Sequence, residues 1–469
     1  MASHADIRKT FQAIGQGHVF RFWDSLNEAQ RAQLMSDCAG VNLERLKDLQ
    51  RAVIEGERGA SGAVEPAPML ELESAEFPYR LNKEAIDAAP EGERLLSGGK
   101  VACVLVAGGQ GTRLGFDKPK GLLPIFPLSG RTLFDGFAAQ LRAAGKRYGA
   151  TPPLFVMTSD ETYDETVSAF KSAKFYGLQP WHVRFFKQAN NPALTSDGKL
   201  VLAEKHRLAV SPDGHGGCIA ALARSGCLED MARDGCEWIS YFQVDNPAVR
   251  ACDPAFIGLT AARDSDCSLK AVRKLDPSEK VGVFAYRTEL PAIVEYTELS
   301  DEQSKQRLPD GSLAYKAGNT ASHVFRRTFL ERVARDAASL PYHLAFKAVP
   351  FVDDEGTVIT PEKPNAYKFE QFIFDALPHA ENAFALEIAR GDEFLPVKSK
   401  DGPTSPVAVT AAMQALWRKQ LRALGLEVSD TTPVEIAPEF RCDEAGLERA
   451  AQRLRAGGVV GETCLIEPE

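Results

Sequence analysis

The chain has 469 residues, too many for one simple core, so two or three folded units are expected. With 44% hydrophobic and 25% charged residues it has the composition of an ordinary soluble globular protein, and no apolar stretch approaches the roughly 20 residues that span a bilayer. A formal net charge of −9 argues against broad nucleic-acid binding, which needs a basic face, so a polyanionic ligand would require positive charge gathered at one place.

The first residues, MASHADIRKTFQ, lack the apolar segment of a signal peptide, and a cytoplasmic location is expected. From about residue 4 to 58, apolar residues such as Phe11, Ile14, Phe20, Trp23, Leu34, Leu43 and Leu46 recur at three-to-four spacing among charges and predict helices, with Asn42 as an N-cap. GERGASGAVEPAP at 56 to 68 is a connector. The continuous apolar run Lys100 to Ala107 predicts a strand buried on both faces of a parallel sheet. A helix from Thr132 to Tyr148, a strand over 153 to 158 and a helix from about Asp160 to Tyr176 complete a strand–helix alternation. Further strands are predicted at 182 to 187, 238 to 244, 268 to 274 and 281 to 286, and two helical stretches with a short strand (Glu462 to Ile466) follow residue 402. These elements imply an α/β fold with a doubly wound sheet, divided into an N-terminal helical region with connector (1–95), a central domain (96–400) and a small C-terminal domain (401–469).

Nine scattered cysteines, an odd number in a large chain, point to buried reduced side chains rather than a disulfide framework. The spacing of the cysteines and of the eight histidines matches no zinc or other transition-metal motif. The informative segment is Ala107-Gly-Gly-Gln-Gly-Thr-Arg-Leu-Gly115, placed just beyond the carboxyl end of the first long strand, where open α/β sheets bind ligands. Glycines there let the backbone come close to phosphate groups. Arg113, Lys118 and Lys120 put three cations on the same loop, the local positive charge that an acidic protein needs for an anionic substrate. A dinucleotide-binding dehydrogenase would instead continue directly into a helix, which Pro119 and Pro124 oppose. Asp245 closes the apolar strand starting at Trp238, so its carboxylate either emerges at the ligand edge as a hard oxygen ligand suited to Mg²⁺ or caps the following turn.

The sequence L-x-A-G-G-x-G-T-R-L-G followed by P-K-G resembles the signature of nucleotide-diphospho-sugar pyrophosphorylases. Phe185-Phe-Lys-Gln188, Ser211-Pro-Asp-Gly-His-Gly-Gly217, Val244-Asp-Asn246, Asp253-Pro-Ala-Phe-Ile-Gly258, Ala317-Gly-Asn319, Lys363-Pro-Asn365 and Asp392-Glu-Phe-Leu-Pro-Val-Lys398 resemble blocks of the UDP-N-acetylhexosamine pyrophosphorylase family, in that family's order. Gly17-His-Val-Phe-Arg-Phe-Trp23 resembles its helical lead-in. The resemblance implies a Rossmann-like mixed sheet and a uridylyltransferase that joins UTP to a sugar 1-phosphate with Mg²⁺ and releases pyrophosphate. It implies nucleotide contacts from Ala107, Gly108, Gly109, Gly111, Gly214 and Asp245, with Gln188 reading the uracil edge and Asp245 holding the metal. Arg113, Lys120 and Lys398 would carry the catalytic charge, and His215, Glu295 and Asn319 the sugar contacts; Lys118 and Lys368 are left unassigned.

The expected partners are therefore UTP and a sugar 1-phosphate, with neither nucleic acid nor membrane. The sugar stays open between N-acetylglucosamine and glucose or galactose, because His215 stands where the N-acetylhexosamine enzymes usually have Asn. A UDP-sugar-binding regulator without catalysis is the alternative of another class. The retained Arg113, Lys120, Asp245 and Lys398 oppose it, since sensing a UDP-sugar does not need groups that handle pyrophosphate.

Overall fold

A computed structural model describes residues 3–55, 62–336, 340–457 and 463–468. The chain divides into two compact units, one formed by Met1–Gly62, Gln188–Cys218 and Ala338–Asp375, the other by Ala63–Lys187, Ile219–Ala337 and Ala376–Glu469.

In the first unit the N-terminal apolar periodicity becomes three helices, His4–Ala13, Glu28–Gly40 and Leu43–Glu55. Ser3 and Asn27 begin the first two with reciprocal capping boxes. Asn42 caps the third, its Oδ1 accepting from the Arg45 N–H at 3.0 Å. These helices cannot bury their apolar stripes alone. Phe11, Val19, Leu34, Leu46 and Leu49 form one core with Leu194, Leu200, Leu208 and Phe369 from the two later segments. Residues 56–61 of the predicted connector lie outside the described residues.

The second unit is built on an eleven-stranded sheet. In chain order its strands are β1 (Val64–Pro66), β2 (Met69–Leu70), β3 (Val101–Val106), β4 (Leu154–Thr158), β5 (Val183–Lys187), β6 (Trp238–Gln243), β7 (Cys267–Arg273), β8 (Val283–Arg287), β9 (Leu290–Val294), β10 (Ala317–Arg326) and β11 (Ala383–Glu387). The main path runs β2-β11-β7-β10-β6-β3-β4-β5. Every pair along it is parallel except the two made by β10, which is antiparallel to both β6 and β7. The sheet is thus mixed, as expected. The carboxyl ends of β3, β6, β7 and β11 and the amino end of β10 consequently lie along one edge. All five residues of β4 and the first five of both β3 and β6 are buried, which is why they read as apolar runs without alternation.

The helix expected to reach Tyr176 is shorter, Tyr163–Ser172. Lys174, Phe175 and Tyr176 take left-handed backbone angles (φ 50°, 55° and 51°), and the Tyr176 ring meets that of Phe170 edge-on at 4.9 Å. Burying an aromatic ring there outweighs extending a helix by one turn. Near the C-terminus, helices Pro406–Ala423 and Glu444–Gly457 and the strand Cys464–Ile466 follow the expected order, the predicted first strand residue, Glu462, lying outside the described residues. All nine cysteines are buried, and none is joined in a disulfide. Among the described residues no helix is long and apolar enough to cross a membrane.

The helices Lys83–Ser97 and Pro254–Ala262 cross at two glycines: a Cβ on Gly92 would stand 1.9 Å from the Pro254 carbonyl oxygen, and one on Gly258 2.1 Å from that of Ala88. Contact with rigid backbone cannot be relieved by a side-chain rotation. Gly92→Ala should therefore destabilise the protein by about 1–3 kcal/mol, the range for overpacking, seen as a lower urea midpoint. An unchanged midpoint would mean that the two helices separate freely.

Candidate active site

Adjacent strands β3 and β6 end in step, with Val106 opposite Gln243, and the Val244 N–H donates to the Val106 carbonyl at 3.0 Å. The glycine loop and Asp245 therefore leave the sheet side by side, one strand spacing (about 4.8 Å) apart. A third segment joins them from beyond β11. The Val397 N–H donates to the Asp245 carbonyl at 2.7 Å, so Lys398 is next to a residue tied directly to Asp245.

The loop after β3 folds back on itself. Gly109 accepts from the Lys120 N–H at 3.1 Å and the Gly111 N–H donates to Lys118 at 2.9 Å, which places Arg113 and Lys120 on one compact platform. Two of the loop glycines serve different ends. A Cβ on Gly111 would strike the Phe116 carbonyl oxygen at 2.5 Å, whereas a Cβ on Gly109 would meet nothing within 4 Å, leaving open space for a ligand to approach its backbone. Because the Gly111 N–H is already bonded, the glycine N–H groups of the Gly108–Gly111 turn left for a ligand are those of Gly108 and Gly109, neither bonded to another described residue. Ala107 is fully buried, its N–H donating to Met157 at 2.8 Å, and anchors the loop to β4.

Asn319 opens β10. A bulge in the pairing with β7 and a left-handed Ala321 (φ 57°) re-aim the strand there, and Asn319 Oδ1 accepts from the Ala321 N–H at 3.0 Å. Glu295 follows β9 and reaches the same place: its carboxylate lies 2.9 Å from where a Cβ on Gly282 would stand, and the Gly282 carbonyl accepts from the Asn319 N–H at 2.8 Å. The second unit thus brings together Gly108, Gly109, Arg113, Lys120, Asp245, Lys398, Asn319 and Glu295 along the edge identified by the topology.

Gln188, Gly214, His215 and Lys368 belong to the first unit. Gln188 is buried directly after β5, and Lys368 sits mid-strand opposite Ala345. Gly214 has φ 82°, and a Cβ on it would lie 2.5 Å from the Gln371 carbonyl oxygen, so its glycine is required by the chain's own backbone. His215 is held by the same segment: Nδ1 accepts from the Ile373 N–H at 3.1 Å and the ring stacks on Phe372. That bond leaves the proton of the neutral ring on Nε2.

Two participants escaped the sequence reading. Asn246, 4% exposed, donates from Nδ2 to the Glu393 carbonyl at 2.7 Å and accepts at Oδ1 from the Leu395 N–H at 3.0 Å, fastening the segment that carries Lys398. Its place beside Asp245 was visible; its partners, nearly 150 residues away, were not. Lys400 lies across Gly115, its Cδ 3.6 Å from the position of an added Cβ. Its two-residue offset from Lys398 was the one available signal.

Charge is arranged in two ways here. Arg113, Lys118, Lys120, Lys398 and Lys400 make no ion pair with a described residue, although arginines and lysines elsewhere are widely paired. Behind them lies a closed network: Arg250 contacts Asp392, Glu393 and Glu444, and Arg441 binds Asp392 at 2.7 Å. Burial alone would raise the Asp392 carboxyl, but Arg441 and Arg250 outweigh it and hold the value at about 2.

The sequence profile of the UTP–glucose-1-phosphate uridylyltransferase family matches residues 60–436. The chain belongs to that family. Like the other members it is a uridylyltransferase, a pyrophosphorylase in the reverse direction. The human UDP-N-acetylhexosamine pyrophosphorylase-like protein 1 is 40% identical over 437 residues, covering 90% of this chain and 85% of the relative. UDP-N-acetylglucosamine pyrophosphorylase of Saccharomyces cerevisiae is 32% identical over 462 residues, covering 93% and 94%. The crystal structure of the Trypanosoma brucei UDP-N-acetylglucosamine pyrophosphorylase shares the fold, with a TM-score of 0.84 and 24% identity over 100% of this chain and 99% of that one. The α/β mixed-sheet architecture expected from the sequence is thus the family's own.

The network behind the site has a pH signature. A carboxyl lowered in the folded state stabilises above its unfolded value, about 3.9 for Asp, and loses that contribution as pH falls through about 2. The melting-temperature gap between wild type and Asp392→Asn should be full at neutral pH and shrink between about pH 4 and about pH 2. A gap that stays constant over that interval would show that Asp392 gains nothing from its ionised form.

Proposed function

We propose that the protein makes a UDP-sugar and pyrophosphate from UTP and a sugar 1-phosphate, most directly N-acetylglucosamine 1-phosphate. The observation that carries this reading is the cluster of Arg113, Lys118, Lys120, Lys398 and Lys400, five cations without carboxylate partners among the described residues, beside open glycine backbone in a protein of net charge −9. Such a cluster suits a substrate that brings its own negative charge. The sugar follows from the relatives of high coverage, which carry N-acetylhexosamine names.

Reaction occurs when a phosphate oxygen of the sugar 1-phosphate forms a bond to the α-phosphorus of UTP while the bond from that phosphorus to the bridging oxygen of the β-phosphate breaks. That oxygen is already deprotonated at neutral pH, a phosphate monoester having its second pKa near 6, so no general base is needed. What the protein supplies is alignment and charge. Arg113 offers a planar fork of donors and Lys120 a point charge to the β- and γ-phosphates that leave. Lys398, held beside Asp245, faces the α-phosphate and the incoming sugar phosphate, and Lys400 adds charge over Gly115. Asn319 and Glu295 contact the sugar.

Asp245 fits a Mg²⁺ ligand: it stands at the strand end, and its carboxylate takes no hydrogen bond or ion pair from a described residue. Among the described residues no group of three His, Cys, Asp or Glu side chains is placed to hold a metal, so phosphate oxygens and water would complete the shell, as Mg²⁺ prefers. When bound, the ion neutralises phosphate charge. His215 favours a second reading, a glucose or broader hexose 1-phosphate specificity.

The test is pyrophosphate release from UTP and Mg²⁺ with N-acetylglucosamine, N-acetylgalactosamine, glucose and galactose 1-phosphates, each with an EDTA control. Release with N-acetylglucosamine 1-phosphate that EDTA abolishes is expected; preference for glucose 1-phosphate would install the second reading. Absence of release with every sugar, despite measurable UDP-sugar binding, would favour a regulator. Arg113→Ala should lower kcat by about 10²–10³-fold, as for a lost transition-state donor, without altering the melting temperature. Near-normal turnover would remove Arg113 from the mechanism.

A further inference from the structure

Lys270 is 2% exposed, in the middle of β7, and its ammonium pairs with no residue assigned to substrate. Nζ donates to Asp253 Oδ2 at 2.5 Å and to the Glu393 carboxylate. Burial disfavours its charge, but the two carboxylates outweigh that and keep it protonated. Replacing such a triad by apolar side chains is often neutral or stabilising, so stability alone is a weak reason for its presence.

The neighbours give a better one. Glu393 is followed by the segment ending in Lys398, and its carbonyl accepts from Asn246, the residue after Asp245. Asp253 caps the helix Pro254–Ala262 through the Ala255 N–H at 3.1 Å, fixing the far end of the loop that leaves β6 at Asp245. The carbonyl of Lys270 accepts from Thr320 Oγ1 at 2.7 Å, one residue from Asn319 at the bulge. One buried lysine thus reaches the bases of the three segments that carry Asp245, Lys398 and Asn319, the first two through its ammonium and the third through its backbone carbonyl.

We propose that Lys270 is a positioning residue for the uridylyl transfer, which holds Asp245 and Lys398 in register through Glu393 and Asn246 without itself touching substrate. The proposal rests on the uridylyltransferase reading. Its signature is specific: loosening the triad disturbs turnover and the use of Mg²⁺, while the glycine loop and Arg113, anchored separately to β3 and β4, go on binding the nucleotide.

The experiment compares wild type, Lys270→Met, the double variant Lys270→Met/Glu393→Gln, Asn246→Ala and the triple combination. Each is measured for kcat, KM for UTP, half-saturating Mg²⁺, melting temperature and calorimetric affinity for UTP with and without Mg²⁺. The double variant removes both charges, so it avoids the stranded carboxylate that makes Lys270→Met alone prone to unfold. Expected are a kcat lowered by about tenfold or more, a half-saturating Mg²⁺ raised several-fold and a weaker Mg²⁺ enhancement of UTP affinity, with metal-free UTP affinity changed by less than about twofold. Asn246→Ala should reproduce this, and the triple variant should be no worse than Asn246→Ala, because both act along one path. A folded double variant with kcat and Mg²⁺ requirement within about twofold of wild type overturns the proposal, and so do losses that multiply in the triple variant. If the double variant does not fold, normal values in Asn246→Ala overturn it. A wild type inactive with every sugar phosphate rejects the underlying functional reading instead, which separates the two failures.

Discussion

The parallel pairing of β3 with β6 is the constraint from which the site follows. Because Val106 and Gln243 are register partners, the glycine loop and Asp245 leave the sheet together, and the Val397–Asp245 backbone bond adds Lys398 to the same place. A shift of register by one residue would turn every side chain of β6 to the other face. The buried runs of both strands oppose such a shift, because it would exchange side chains between two close-packed layers and overfill one while leaving gaps in the other. The catalytic geometry is thus secured by hydrophobic burial well away from any substrate.

Much of this was legible in the chain because the informative features are local. A buried parallel strand is a continuous apolar run, and a phosphate loop is a run of glycines followed by cations; both sit within about 20 residues, and the strand ends were placed to within one or two residues. What escaped is non-local or carried by unremarkable residue types. β10 begins with Ala-Gly-Asn, which reads as a loop, yet the strand is long and bulged and supplies the antiparallel step of the sheet. The Lys174–Tyr176 turn continues a helical pattern in the sequence because side-chain periodicity does not report the sign of φ. The core partners of the N-terminal helices lie about 150 and more than 300 residues downstream, and no spacing rule connects them.

The glycines show where motif reading and structure part. Gly111 and Gly214 belong to segments that suggest close ligand approach, and each is instead required by contact with the chain's own backbone, Phe116 in one case and Gln371 in the other. Gly109, with open space at its Cβ position, retains the ligand-facing reason. A glycine in a motif therefore reports only that two backbones, or a backbone and a ligand, come close. The three-dimensional neighbourhood decides which.

The two classes of charge at the sheet edge answer different physical demands. Arg113, Lys118, Lys120, Lys398 and Lys400 have no carboxylate partners among the described residues, so a phosphate does not have to break an ion pair to engage them. Their mutual repulsion costs little while water screens them. Lys270 is buried and Arg250 and Arg441 are partly buried, and they are matched by Asp253, Asp392 and Glu393, where an unmatched charge would be costly. The paired set is rigid because each member is fixed by another, and the unpaired set is available because none is. Asn246 and the Asp392–Lys398 segment connect the two, so the cations that meet a mobile polyanion are carried on a frame whose own electrostatics are already satisfied.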